Sequence, residues 1–239
     1  MRSKRVRTTL VLAALLIAAA PSWAQSPHYR KAYPRDDAFH LRLGLFTPDG
    51  DSEYWEDKEL QFTGEAQDLE NLVFGADYLM GLGDRMSLLF SGSFFEGDTT
   101  QSYLDFVDNR GDRIRHDTTL DIGSLTAGLV FHLTGPGAAI RPYIGIGGGL
   151  YFWQLEEDGD FIDENTPRLD IFNAQLRSDG VTPGYFGVVG VEVPIGRTIS
   201  LFGEGRWTQA EDELSGDFED FGKIDLSGRE VSAGISWNM

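Results

Sequence analysis

Along most of the chain apolar residues recur at every second position, with small or polar residues between them. A period of two is the mark of a strand with two unlike faces. Phe39, Leu41, Leu43 and Leu45 alternate with His40, Arg42 and Gly44. Asn71 to Met80 sets Leu72, Phe74, Ala76, Tyr78 and Met80 against Val73, Gly75 and Asp77. Met86 to Phe95 sets Met86, Leu88, Phe90 and Phe94 against Ser87, Ser91 and Ser93. Leu120 to Leu133 sets Leu125, Ala127, Leu129, Phe131 and Leu133 against Ser124, Thr126, Gly128 and His132. Arg141 to Trp153 sets Ile144, Ile146, Gly148, Leu150 and Phe152 against Tyr143, Gly145, Gly147, Gly149 and Tyr151. Thr182 to Val193 sets Tyr185, Val189, Val191 and Val193 against Gly184, Phe186, Gly190 and Glu192. Thr198 to Thr208 opposes Ile199, Leu201 and Trp207 to Ser200, Glu204, Arg206 and Thr208. Val231, Ala233, Ile235 and Trp237 oppose Ser232, Gly234 and Ser236 in the last of eight segments.

Each segment is about as long as a tilted strand needs to cross a bilayer, roughly ten residues. The connections alternate as well. Residues 81–85, 134–138 and 194–197 are tight turns rich in Gly, Pro and Asp, whereas 47–70, 96–117, 154–180 and 209–223 are long. Short turns on one side and long loops on the other are the rule for outer-membrane barrels, and an even strand number puts both ends on the short-turn, periplasmic side. The pattern predicts an all-β fold: an eight-stranded antiparallel transmembrane β-barrel with short periplasmic turns and long acidic extracellular loops. The four long segments hold 29 of the 38 acids and only seven Lys or Arg, so the charge lies outside the predicted membrane band. Aromatics gather at strand ends, Phe39 and Trp237 on the inner side and Phe94, Phe95, Phe152, Trp153 and Trp207 on the outer, as interfacial girdles do.

Gly145, Gly147, Gly148 and Gly149 invite comparison with a phosphate-binding loop. Leu150 takes the place of the third glycine of G-x-G-x-x-G, and no amphipathic helix follows, so nucleotide binding is rejected. Glycines within a strand mark close packing or bending. They are expected to leave space in the barrel interior for Arg42, Glu204 and Arg206.

The first residues carry a different signal. Arg2, Lys4, Arg5 and Arg7 precede an apolar run from Leu10 to Ala20, and Ser22-Trp23-Ala24 offers a cleavage site before Gln25. This is the grammar of a secretory signal peptide. The domain plan is residues 1–24 as a cleaved signal, 25–37 as a periplasmic lead-in with Pro27 and Pro34, and 38–239 as the barrel, exported to the cell outer membrane. The chain has no cysteine, which excludes disulfides, thiolate metal sites and a lipoprotein anchor. A formal net charge of −18 argues against nucleic acid as a partner, because phosphates demand Lys and Arg.

With its signal peptide, Arg141-Pro142-Tyr143-Ile144-Gly145-Ile146-Gly147, Phe202-Gly203-Glu204-Gly205-Arg206-Trp207 and the closing Val231 to Trp237, the chain resembles the small outer-membrane β-barrel proteins of Gram-negative bacteria, the OmpA-like and OmpW-like β-barrel superfamily. The resemblance covers roughly residues 38–239. It implies outer-membrane lipid and lipopolysaccharide as surroundings, no cofactor, and assembly by the barrel assembly machinery. That machinery usually reads a terminal aromatic; here Asn238 and Met239 follow Trp237.

Three places could carry chemistry. His40, Arg42, Asp77, Glu192, Glu204 and Arg206 fall on the inward sets, where they are expected to pair in a lumen network, because unpaired buried charge is costly. An eight-stranded barrel is just wide enough for side chains to fill. A soluble lipocalin-type barrel would instead have an apolar interior. The resemblance also admits an enzyme, since some such barrels acylate or deacylate lipid A. A Ser-His-acid site at the lipid-facing rim would have to use His116, beside Asp117, with Ser93 across the hairpin. Asp158, Asp160, Asp163 and Glu164 supply oxygen ligands of the kind calcium prefers, without EF-hand spacing, and could bridge divalent ions to lipopolysaccharide phosphates. The expected role is structural or surface-interacting and non-enzymatic, with a narrow gated pore as the alternative and a lipid-modifying enzyme as a second.

Overall fold

The computed structural model describes residues 37–239 apart from 109, 136, 164–169 and 220, with the side chain of residue 163 also left aside. The expected signal peptide, nearly all of the lead-in, and Glu164 lie outside the described residues. The strands are β1 (Ala38–Pro48), β2 (Asn71–Gly81), β3 (Met86–Val107), β4 (Arg113–His132), β5 (Arg141–Asp163), β6 (Asp170–Pro194), β7 (Ile199–Glu213), β8 (Lys223–Asp225) and β9 (Gly228–Asn238); the described residues also form one α-helix, α1 (Glu53–Gln61), and two short 3-10 helices, Ala66–Leu69 and Gly216–Phe218. Each barrel strand is antiparallel to its neighbour. The ring closes because β1 pairs with β9 as well as β2, and β9 pairs with β7. Eight strands form the ring, and β8 is a short addition to the top of β7.

The alternation has its expected meaning through the membrane band. Leu43, Phe74, Phe90, Leu129, Ile146, Tyr185, Leu201 and Val231 face outward and are exposed, while His40, Asp77, Ser91, Tyr143, Phe186 and Glu204 face inward and are buried. An apolar exterior running round eight strands far exceeds the patches a water-soluble monomer tolerates. A closed ring also satisfies every backbone hydrogen bond, which the bilayer interior requires.

The segments 96–117 and 154–180, expected to be loops, are mostly strand. β3 and β4 stay paired to Ser102 and Arg115, and β5 and β6 to Asp163 and Asp170. The reason is a reversal of polarity. In register across β3, β4, β5 and β6, Phe94, Gly123, Phe152 and Val181 form the last apolar outward row. The next outward row is Glu96, Asp121, Gln154 and Asp179. Above that boundary the inward positions become apolar: Phe95, Ile122 and Trp153, then Leu120 and Leu155. Below it the sheet faces lipid and keeps its polar groups inside; above it the same sheet faces water and buries a core as soluble proteins do. Two expected girdle residues are corrected accordingly. Phe95 and Trp153 point inward and are buried, and Trp153 Nε1 donates to Asp212 at 2.7 Å.

The glycines of β5 also require correction. A Cβ at Gly147 would meet the Ala127 carbonyl and Phe186, and one at Gly145 the Leu129 carbonyl, Val188 and Val130, so they make room for β4 and β6 rather than directly for Arg42, Glu204 and Arg206. Arg42 lies instead over Gly75 of β2, where any Cβ would overlap the guanidinium.

Candidate functional site: a charged lumen beneath a helical cap

Arg42 of β1 crosses the lumen at mid-height and is fully buried. Its Nη1 lies 3.1 Å from Glu230 Oε1, its Nε 3.6 Å from both Asp77 Oδ2 and Glu204 Oε1, and its Nη2 donates to Ser91 Oγ at 3.4 Å. Arg206 stands beside it. Its Nη2 is 3.3 Å from Glu204 Oε1 and 3.8 Å from Asp77 Oδ1, its Nη1 donates to Ser91 Oγ at 3.1 Å, and its guanidinium lies 4.8 Å from the Phe186 ring centre. Tyr143 donates its hydroxyl proton to Glu204 Oε2 at 2.7 Å. Six strands (β1, β2, β3, β5, β7 and β9) therefore meet in one layer of side chains.

Of the residues singled out in the sequence, Arg42, Asp77, Glu204 and Arg206 come together. His40 stacks on Phe202 at 4.4 Å one step toward the periplasm. Glu192 lies apart at the periplasmic end, 3.7 Å from Arg141. Glu230, Ser91 and Tyr143 belong to the layer and were missed as members. Glu230 sits one residue before the apparent start of the last segment, on the inward parity of Ser232 and Ser236; extending that strand by one position would have found it. A cavity of about 30 Å³ lies above the layer between Phe46, Tyr151, Thr208 and Leu226. Another of about 10 Å³ lies below it, beside His40, Leu89 and Val130. Both are on the scale of one or two water molecules.

The mouth of the barrel is closed by α1. Glu53 and Glu56 in its first turn and Lys58 in its last suit the helix dipole, and Phe62 returns its N–H to Lys58 O at 2.8 Å where the helix ends. Tyr54, Trp55 and Lys58 form the buried face. Trp55 is fully buried and donates Nε1–H to Asp225 O at 3.4 Å. Lys58 Nζ is 2.7 Å from Glu157 Oε1 of β5 and donates to His116 Nε2 of β4 at 3.0 Å, while Tyr54 donates its hydroxyl proton to Glu157. Phe62 and Phe161 pack on the His116 ring. Burial, and then the charge of Lys58, push the His116 imidazole down to about 3. Burial also lowers the Lys58 ammonium, against the pull of Glu157. His116 is thus a neutral acceptor inside the cap and not a residue of the lipid-facing rim. Ser93 Oγ shares its hydrogen bond with Ser124 Oγ at 2.7 Å.

In the third long segment the outward positions of β5 carry Glu156, Asp158 and Asp160, while Glu157 points inward and is buried. Asp158 and Asp160 alternate along that strand, and Asp160 accepts from Asn173 Nδ2 at 3.1 Å. Among the described residues no three His, Asp or Glu are grouped so as to hold a metal ion.

No protein-family model and no curated protein sequence matches the chain. Among solved structures it is similar to a major outer membrane protein from Thermus thermophilus, at 10% identity and a TM-score of 0.48, covering 85% of this chain and 99% of that one. It is similar also to Neisserial surface protein A, at 9% identity and a TM-score of 0.47, covering 85% and 96%. A third likeness is to the outer membrane protease OmpT from Escherichia coli, at 9% identity and a TM-score of 0.44, covering 87% and 98%. These likenesses carry nothing about activity, and the architecture rests on the chain's own ring. A closed ring of eight antiparallel strands, apolar outside through the bilayer and charged within, with short turns below and strand-built extensions above, is a small outer-membrane β-barrel.

Proposed function

We propose that the chain is a non-conducting, non-catalytic outer-membrane barrel that presents an acidic, strand-built surface to the outside. The observation that carries this reading is closure at two levels: the Arg42–Glu204–Arg206 layer in the lumen and α1 in the mouth, with cavities of about 30 and 10 Å³ between side chains. A solute path needs a continuous opening, and a small barrel filled by side chains is a packed core. The four segments that form the cap and the outer sheet hold 29 of the chain's 38 acids in sequence, which suits a role in surface interaction.

Planar-bilayer recording of the refolded chain tests the reading. No stepwise conductance is expected, either from the unmodified protein or after residues 51–62 are replaced by a Gly-Ser linker, because the lumen layer closes the barrel on its own. Resolved channels from the unmodified protein would establish the pore instead. Appearance of channels in Glu204→Ala alone would make the lumen layer a gate.

A further inference from the structure

The sheet that rises above the membrane, formed by β3, β4, β5 and β6, has two edges, and they differ. Along β3 the chain covers its own edge. Thr63 N–H donates to Ser102 O at 2.9 Å, Ser102 N–H donates to Thr63 Oγ1 at 3.2 Å, and Phe62 makes a bridge to Tyr103. A register shift between Ser102 and Val107 then breaks that edge. Along β6 the pairing with β7 begins only at Gly184. From residue 177 to 183 the final loop covers β6: Arg177 N–H donates to Asp217 Oδ2 at 2.9 Å, Ser215 N–H to Ser178 Oγ at 3.0 Å, and Thr182 Oγ1–H to Glu211 O at 2.6 Å.

Above residue 177 that cover ends. Arg177 turns its N–H away from β5, and in an antiparallel pair alternate residues do the same. Ile171, Asn173 and Gln175 therefore direct their N–H and C=O groups outward, and no backbone or side-chain group among the described residues bonds to them. The edge carries no bulge, since the β5–β6 register runs unbroken from Arg141 to Asp163. Ile171-Phe172-Asn173-Ala174-Gln175-Leu176 contains no proline and no charge. These are the devices by which natural edges are protected from pairing. Ile171 is exposed on the outer face of the strand and Phe172 on the inner.

We propose that the β6 edge from Ile171 to Leu176 is a docking site for an extended, basic peptide segment, which adds to the outer sheet as a further antiparallel or parallel strand. Backbone groups of Ile171, Asn173 and Gln175 supply the hydrogen bonds. Charge decides the kind of partner. Residues 154–180 hold eight acids and two arginines, and Arg177 is already engaged by Asp179 at 3.5 Å and Gln154 at 2.7 Å. Asp158 and Asp160 face outward on the strand next to β6. An added strand lies about two strand spacings, roughly 10 Å, from them, within reach of a lysine stem and about one Debye length away. A second copy of this chain would bring two such acidic sheets together and is disfavoured. The proposal rests on the surface-presentation reading, and the conductance measurement tests that reading separately.

The test uses the refolded full chain in lipid nanodiscs and a capped eight-residue peptide of alternating Lys and Val. Saturable binding is expected, weakened as salt is raised, with a Glu-Val peptide of the same length failing to bind. Asn173→Pro removes one outward N–H without touching the β5 ladder, a position where proline is tolerated on an edge. It should weaken binding about tenfold or more, while Asn173→Thr should stay within about twofold. Hydrogen exchange on the unmodified chain needs no variant: peptide should protect the amides of Ile171, Asn173 and Gln175. Equal binding of both peptides, indifference to Asn173→Pro, or protection elsewhere would overturn the proposal. So would chain-to-chain crosslinks through Asn173→Cys without peptide, which would make a second copy the occupant.

Discussion

If Lys58 is what holds α1 in the mouth, Lys58→Met should loosen the helix while leaving the barrel standing. Lys58 Nζ and Glu157 Oε1 are 2.7 Å apart, and both side chains are almost wholly buried, at 7% and 3% exposure. Removing one member of such a pair costs about 3–5 kcal/mol, largely from the charge left behind. Here the lower end applies, because Tyr54 still donates to Glu157. A loss of about 3 kcal/mol multiplies the open population of the cap roughly a hundredfold. Hydrogen exchange reads that population through the α1 amides, among them Phe62 N–H on Lys58 O and Glu56 N–H on Ser52 O. Lys58→Met should speed their exchange about a hundredfold, with strand amides unchanged. The double variant Lys58→Met, Glu157→Leu leaves no orphaned charge and should recover most of the protection. Exchange accelerated less than about fivefold by Lys58→Met, or a double variant as fast as the single, would refute the pair as the anchor.

Three further outcomes follow from the same geometry. The cap should open more readily as pH falls: His116 is held at about 3 in the closed cap against 6.5 when free, so the open state binds an extra proton between those values and closure is lost as pH drops through that window. Lys58, also lowered when buried, acts in the same direction at higher pH, and α1 exchange, corrected for intrinsic rate, should rise by up to about tenfold per pH unit below about 6.5; a flat profile in His116→Gln is the control, and a flat profile in the unmodified chain sinks the argument. Arg42→Met leaves Asp77, Glu204 and Glu230 facing Arg206 alone and should cost about 3–5 kcal/mol in denaturant unfolding followed by heat-modifiable gel migration; a shift under about 1 kcal/mol would show the layer is not held by Arg42. Ile146→Arg on the lipid face should cost about 2–4 kcal/mol in the same assay, whereas Glu156→Arg, on the outward face of the same strand above the boundary, should be nearly neutral; equal costs would misplace the bilayer.

The membrane portion of the fold was legible because lipid imposes one rule on every strand, apolar out and polar or small in. Leu43, Ile146 and Tyr185 obey it, and Arg42 and Glu204 on the opposite parity identify the lumen without help. The rule stops at the aromatic pairs Phe94-Phe95 and Phe152-Trp153, where one ring still faces lipid and its neighbour opens a new interior. Beyond them Gln154, Glu156, Asp158 and Asp160 are outward and Leu155 and Phe161 inward, a strand pattern of opposite sign. A reader seeking apolar outward positions loses the strand there and sees only an acid-rich loop. α1 was illegible for another reason. Its buried face includes Lys58, which reads as surface charge until Glu157 and His116, about a hundred and about sixty residues away in sequence, are placed beside it.

Strands that pass without a break from bilayer to tip also fix how far the molecule stands out. Ten residues separate Trp153 from Asp163, roughly 25 Å of height once the strand tilt is allowed for. That is about as tall as the lipid-spanning band itself, so the outer sheet and the barrel are the two arms of one stiff lever with its fulcrum at the membrane surface. A sideways pull on the β5–β6 tip is not absorbed by a slack loop. It arrives in the bilayer as a torque, and the barrel must lean.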